Sequence, residues 1–326
     1  MIRRTVTRYA LLLCLCSSLC FAMTAQAQEF PQQAIRIVVP FAAGGVTDPQ
    51  TRLVAQKLQQ MTGQSVIVEN KPGGSTIIGS DFVAKSKPDG YTLLFTTRQH
   101  AINPSVFKKL PYDTFKDFIP ITLSTKGEGL ILVVNPSLPA NNLAEFIELA
   151  RKNPGKISYA SAGFGNILHL AGEMFNAHAN VTLNHIPYKG AGAVTDVLAG
   201  HVDAMFAPPT VSTQHVRAGR LRALGYSSLK RFPELPNVPT LDELGLKGYE
   251  VSGWQGSFAP AGTSPQVIEW LYNAFHKIYN MPDVQERMRV LGQTPVVSDP
   301  RSFAAYIRED VNRFAEVVRK TGLEPQ

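Results

Sequence analysis

The stretch Ile35-Arg36-Ile37-Val38-Val39-Pro40-Phe41-Ala42-Ala43-Gly44-Gly45-Val46-Thr47-Asp48-Pro49 decides the fold class. Its first five residues are a mostly β-branched run, the composition of a strand, and Pro40 stops it because proline cannot donate to a ladder. Asp48 followed by Pro49 reads as an N-cap with a first-turn proline, so a helix begins there. That helix carries Leu53, Val54, Leu58 and Met61 at helical spacing, and Gly63 suits its end. Strand, glycine-rich turn and helix make the first half of a βαβ unit.

Working outward, the same order recurs. Residues 66–68 are a second strand, followed by Gly73-Gly74-Ser75-Thr76, a short helix through Phe82 and Val83, and a third strand at 91–96. A second unit follows, with strands at 130–134, 157–160, 185–188, 204–206 and 221–225. Asn142 with Glu145 resembles a capping box, and Ser161-Ala162-Gly163-Phe164-Gly165-Asn166 joins a strand to a helix through Met174. Helices carrying Ile268, Leu271 and Phe275, and then Phe303, Ile307 and Phe314, close the chain. The expected fold is α/β with two lobes, each a mostly parallel sheet with helices on both faces.

Composition sets the outer bounds. With 326 residues, 44% hydrophobic and 17% charged, the chain is neither disordered nor collagenous, coiled-coil or polytopic. Residues 1–27 read as a signal peptide. Arg3, Arg4 and Arg8 precede an apolar run at 10–22 that is too short to span a bilayer, and Ala25-Gln26-Ala27 supplies the cleavage site. Cleavage after Ala27 removes Cys14, Cys16 and Cys20, all three cysteines of the chain, so the exported protein holds together without disulfides. The net charge of +7 falls by three with those arginines, a bias too weak to indicate nucleic acid or membrane binding. A soluble periplasmic monomer is expected, with no cofactor and no metal: the seven histidines show no ligand spacing.

Three turns leave strand ends and enter helices: 41–48, 73–76 and 161–166. Each presents backbone N–H groups at a helix N-terminus, a ready-made anion site, and together they favour a shared anion cleft beyond the carboxyl ends of the strands. The ligand candidates in the first turn are Phe41, Ala42, Ala43, Gly44, Gly45, Thr47 and Asp48, with Asp48 expected to orient loop N–H groups. Gly74 and Ser75 come from the second turn. The third supplies Ser161, Gly163, Phe164, Gly165 and Asn166. Thr97 and Arg98 follow the third strand, where the planar guanidinium of Arg98 could clamp a second carboxylate or be neutralised by Glu128. His169, Tyr188, Lys189 and Asp203 complete the set, although His169 also suits a satisfied structural role.

Several segments carry a resemblance. These include residues 37–48, Glu69-Asn70-Lys71-Pro72-Gly73, Pro88-Asp89-Gly90-Tyr91, Asn103-Pro104, residues 161–166 with His169-Leu170-Ala171-Gly172-Glu173, Pro187-Tyr188-Lys189-Gly190, and Leu235-Pro236-Asn237-Val238-Pro239. In this order and spacing the chain resembles the substrate-binding proteins of tripartite tricarboxylate transporters, the Bug (Bordetella uptake gene) family. The resemblance implies a type II periplasmic binding fold, with lobe 1 built from 28–128 and 251–326 and lobe 2 from 129–250. It also implies a small carboxylate held largely by loop backbone groups, and delivery to a membrane permease. Ser75 and Thr76, Arg98, and Gly127-Glu128-Gly129 depart from the family pattern, so the resemblance leaves the ligand open. A periplasmic sensor that presents its ligand to a signalling receptor would have the same sequence. A secreted serine acyl hydrolase is the remaining alternative. Ser105-Val106-Phe107-Lys108, Ser227-Ser228-Leu229-Lys230 and Lys320-Thr321-Gly322 match its motifs in part, but no Ser-Asp-Asn accompanies them.

Overall fold

The β-branched runs at 35–39 and 131–134 become inner strands of two sheets, because burial on both faces suits near-continuous apolar segments. The computed structural model describes residues 30–45, 47–188, 192–290 and 293–326; Gln33–Gln326 form one compact unit. The leader read at 1–27 lies outside the described residues, as do Val46 and Lys189.

The strands are β1 (Ile35–Val39), β2 (Val66–Asn70), β3 (Thr92–Thr97), β4 (Phe118–Gly129), β5 (Ile131–Val134), β6 (Ser158–Ser161), β7 (Asn184–Pro187), β8 (Ala204–Ala207), β9 (Arg222–Tyr226) and β10 (Ser252–Pro260). They form two five-stranded sheets, ordered β2-β1-β3-β10-β4 and β7-β6-β8-β5-β9. In each sheet four strands run one way and the fourth position runs against them. The reversed strands are β10 and β5. Each follows the chain's passage from the other sheet, β5 directly after β4 and β10 after the segment beyond β9. A strand arriving from the facing sheet enters at the carboxyl ends of its neighbours and can only run antiparallel to them.

The helices are α1 (Asp48–Thr62), α2 (Ile77–Ala84), α3 (Gln99–Val106), α4 (Leu143–Lys152), α5 (Ile167–Ala179), α6 (Gly192–Ala199), α7 (Pro209–Arg217), α8 (Pro265–Tyr279), α9 (Pro282–Val290) and α10 (Pro300–Thr321). Among the described residues no helix is long and apolar enough to cross a membrane. In α1 the buried stripe is Val54, Ala55 and Leu58, whereas Met61 is exposed. Thr47, not Asp48, is its N-cap, and Gly63 closes it in the left-handed region. Asn142 caps α4 as expected, accepting from the Glu145 N–H at 3.0 Å.

Strands β4 and β10 were not expected from the sequence. Pro120 and Gly127 interrupt one, and Gly253, Gly256 and Pro260 interrupt the other, so neither shows a clean strand pattern. Helix α10 packs on β4, α3 and α5, and so touches elements attached to both sheets. Ile102 and Val106 of α3, Leu170 of α5, and Phe314 and Val318 of α10 form one buried cluster between them.

The passage between sheets is tied at Ser227, which is completely buried. Its N–H donates to the Leu130 carbonyl (2.9 Å) and its carbonyl accepts from the Val251 N–H (2.8 Å). Its hydroxyl accepts from the Leu130 N–H (2.7 Å) and donates to the Val251 carbonyl (2.5 Å). One residue therefore staples the outgoing segment to the returning one, and its oxygen is no free nucleophile.

Candidate functional site

The loop after β1 is organised by one carboxylate. Asp48 Oδ2 accepts from the Gly44 N–H (3.0 Å) and from Arg52 Nε (2.9 Å), while Oδ1 accepts from Asn70 Nδ2 (3.0 Å). Burial by itself would raise the Asp48 pKa, but the Arg52, Gly44 and Asn70 hydrogen bonds outweigh it and hold the carboxyl below its ordinary value. Asp48 thus orients a loop amide from the first helical residue, as expected of its role but not of its position. Asn70 also donates to the Phe41 carbonyl (3.1 Å), so the end of β2 braces the loop after β1. Ala42, Ala43, Gly44 and Gly45 remain exposed above this frame, with Phe41 half-buried and Thr47 buried beneath.

The loop after β2 is strained. Gly73, Gly74, Ser75 and Thr76 have φ values of 126°, 54°, 50° and 77°. Glycine adopts such angles freely, whereas an L-residue in the left-handed region costs about 1–2 kcal/mol. Asn103 of α3 holds the loop in place. Its Nδ2 reaches the Ser75 carbonyl (3.0 Å), Thr76 Oγ1 (3.3 Å) and the Tyr112 hydroxyl (3.1 Å). Strain of this kind persists only where surrounding contacts over-determine it.

The loop after β6 is built on two imidazoles. His169 Nδ1 accepts from the Gly165 N–H (3.0 Å), and Ser161 Oγ sits 2.6 Å from His185 Nε2 while accepting from the Gly163 N–H (3.1 Å). The two rings stack at 3.7 Å between centroids, and Tyr159 stacks on His185. Burial, then the neighbouring His185, pushes His169 down to about 3, and burial pushes His185 down to about 4, so both are neutral near pH 7. Asn166 Oδ1 accepts from the Leu168 and His169 N–H groups and caps α5. Among the described residues the amides of Phe164 and Asn166 meet no protein acceptor. The glycine amides 44, 45, 163 and 165 are engaged internally, so a ligand would use the others.

Tyr188 also belongs to this lobe. Its N–H donates to the Ser161 carbonyl (2.9 Å) and its hydroxyl to Asp196 (2.6 Å), which pushes the phenol up to about 12. Thr97 Oγ1 accepts from the Gln99 N–H (3.3 Å) at the start of α3.

Two candidates are displaced. Arg98 does follow β3, but its side chain is 3% exposed. Nε donates to Asp310 (2.8 Å), NH1 to the Ser252 carbonyl and hydroxyl, and NH2 to the Tyr306 hydroxyl (2.6 Å), while Phe314 covers its face. The guanidinium is saturated by α10 and β10, and Asp310 is the acid that pairs with it. Asp203 lies at the wrong end of its sheet. It precedes β8 and accepts from the N–H and hydroxyl of Ser158 (2.8 and 2.7 Å), where parallel strands β6 and β8 begin.

The positioning residues missed by sequence reasoning are Asn70, Gln99, Asn103 and His185. Asn70 and Asn103 stood inside the motifs already singled out. The signal for Gln99 and Asn103 is that α3 is short and polar yet buried at Gln99, His100 and Asn103.

The two loop systems meet at α3. Gln99 Nε2 donates to the Gly165 carbonyl (3.1 Å), joining the end of β3 to the end of β6. The carboxyl ends of β3 and β6 are therefore held close together, at the edge where ligands of open α/β sheets sit.

Comparison with known proteins agrees with this fold. The sequence profile of the tripartite tricarboxylate transporter family receptor matches residues 50–323. The solved periplasmic binding protein BugD is similar at 38% identity and a TM-score of 0.82, covering 91% of this chain and 100% of that one. An R. palustris protein solved with adipate is 30% identical at a TM-score of 0.85, with 91% and 100% covered. MatC from Rhodopseudomonas palustris, solved with bound malate, is 30% identical at 0.79, with 89% and 100% covered.

Proposed function

Because the chain belongs to the tripartite tricarboxylate transporter receptor family, a family of substrate-binding receptors and not of enzymes, we propose that it captures a small dicarboxylate between its two lobes and delivers it to a membrane permease. The observation that carries this reading is that relatives aligned along nearly the whole chain hold adipate and malate, both dicarboxylates. The loops support the same chemistry. With Arg98 engaged elsewhere, the exposed backbone amides of Ala42 and Ala43 and the amides of Phe164 and Asn166 at the N-terminus of α5 are the groups that suit a carboxylate. Lobe 1 comprises 28–128 and 251–326, and lobe 2 comprises 129–250. The leader is cleaved after Ala27, and the exported protein is a periplasmic monomer.

Thermal melts with malate, adipate, citrate, glutamate and benzoate test the reading. At a hundredfold excess over Kd, a true ligand adds about 2.7 kcal/mol of stability, seen as a Tm rise of several degrees. A melting curve unmoved by all five acids overturns it.

A further inference from the structure

Gln99 is the first residue of α3 and is 6% exposed. Its carboxamide makes two bonds from one nitrogen: Nε2 donates to Asn103 Oδ1 (2.8 Å) and to the Gly165 carbonyl (3.1 Å). Both acceptors lack protons, so only the amide nitrogen can face them. Asn103 in turn holds the strained Ser75–Thr76 backbone, and Gly165 is held from its other side by His169. A continuous chain of hydrogen bonds thus runs from the loop after β2, through Asn103 and Gln99, to the loop after β6. The contact is close. A Cβ on Gly165, whose φ is 68°, would lie 2.8 Å from Val106 Cγ2.

We propose that Gln99 is the positioning residue that couples the two ligand loops, fixing the loop after β6 against the strained loop after β2 and so holding a captured carboxylate in place. The inference rests on the proposed capture of a carboxylate by these loops. Gln99 acts through Asn103 and the Gly165 backbone and does not touch the ligand's charge.

Gln99→Glu is the decisive variant. It keeps the shape but sets carboxylate oxygens against two acceptors, so both bonds are lost. Gln99→Met removes the donors without adding charge and serves should the glutamate chain fail to fold. The probe is malate or adipate, whichever the unaltered protein binds. Stopped-flow and titration should show dissociation at least tenfold faster, with association within twofold and the binding-competent fraction unchanged. Amide hydrogen exchange should be at least tenfold faster at Ile77, Ser80, Gly165 and His169, with the strands of both sheets unaffected. A merely structural role would lower the competent fraction and leave the dissociation rate alone. Unchanged exchange at those four amides, or unchanged dissociation, overturns the proposal. The exchange readout needs no ligand. If neither acid binds the unaltered protein, the functional reading fails while the coupling role of Gln99 is still decided.

Discussion

Arg98 illustrates how a side chain's position on a strand end underdetermines its task. Its place after β3 points to the cleft, yet Asp310 lies more than two hundred residues away in sequence and draws the guanidinium into the interior. Trp254 Nε1 donates to the same Asp310 oxygen (2.7 Å), so this carboxylate anchors both β10 and the turn after β3 to α10. No local pattern foretells such a partner, because the pairing exists only once the last helix has docked. Arg98→Ala would leave Asp310 buried without its cation. Removal of one partner of a buried pair costs about 3–5 kcal/mol. The urea midpoint should fall accordingly, and adding Asp310→Asn to the variant should recover part of the loss by removing the unpaired charge. An Arg98→Ala protein as stable as its parent would refute the anchoring role.

At the scale of elements, the βαβ halves were legible and strands β4 and β10 were not. β1, β2 and β5 read directly from β-branched runs bounded by glycine or proline, since each run is its own evidence. β10 carries Trp254 and Phe258 between glycines and becomes a strand only because β3 and β4 offer it two open edges. The candidate loops divide in the same way. Their glycines were visible, whereas the Asn166 cap was not read and the brace from Asn103 depends on a contact 28 residues distant in sequence. Ser227 shows how much a crossing depends on one such contact. Ser227→Ala should strip the Leu130 N–H of its side-chain acceptor in a fully buried site, at a cost of about 1–3 kcal/mol. Chemical denaturation measures this loss, and the lobes should loosen relative to one another before either sheet melts. If amide exchange at residues 130 and 251 matched that of the parent protein, the staple would carry no such weight.

For the whole molecule, two buried histidines and the half-buried His185 set the response to acid. His100 is enclosed by Tyr112, Phe118 and Phe258 beside the first sheet, with no hydrogen-bond partner on either ring nitrogen, and burial pushes it down to about 3. His169 and His185 lie at the second sheet, facing each other, Tyr159, Phe164 and Ser161. Glu173 Oε1 is 3.7 Å from His169 Nε2 and favours the charged ring, but burial and the neighbouring imidazole outweigh it. In the unfolded chain each histidine takes a proton near pH 6.5, while the folded chain resists until about 3 or 4. Unfolding therefore takes up protons throughout this window, and acid favours the unfolded state. Stability contributed by the neutral rings is complete above about pH 6.5 and declines steadily toward pH 4. Urea titrations at pH 8, 6.5, 5 and 4 should trace that decline. Because His100 makes no hydrogen bond through its ring, His100→Phe keeps an aromatic ring in the box without a proton to gain. It should be at least as stable as the parent at pH 8 and should lose less on acidification. An unaltered acid slope in His100→Phe would show that His100 contributes nothing to it and would leave the decline to the stacked pair beneath the ligand loop.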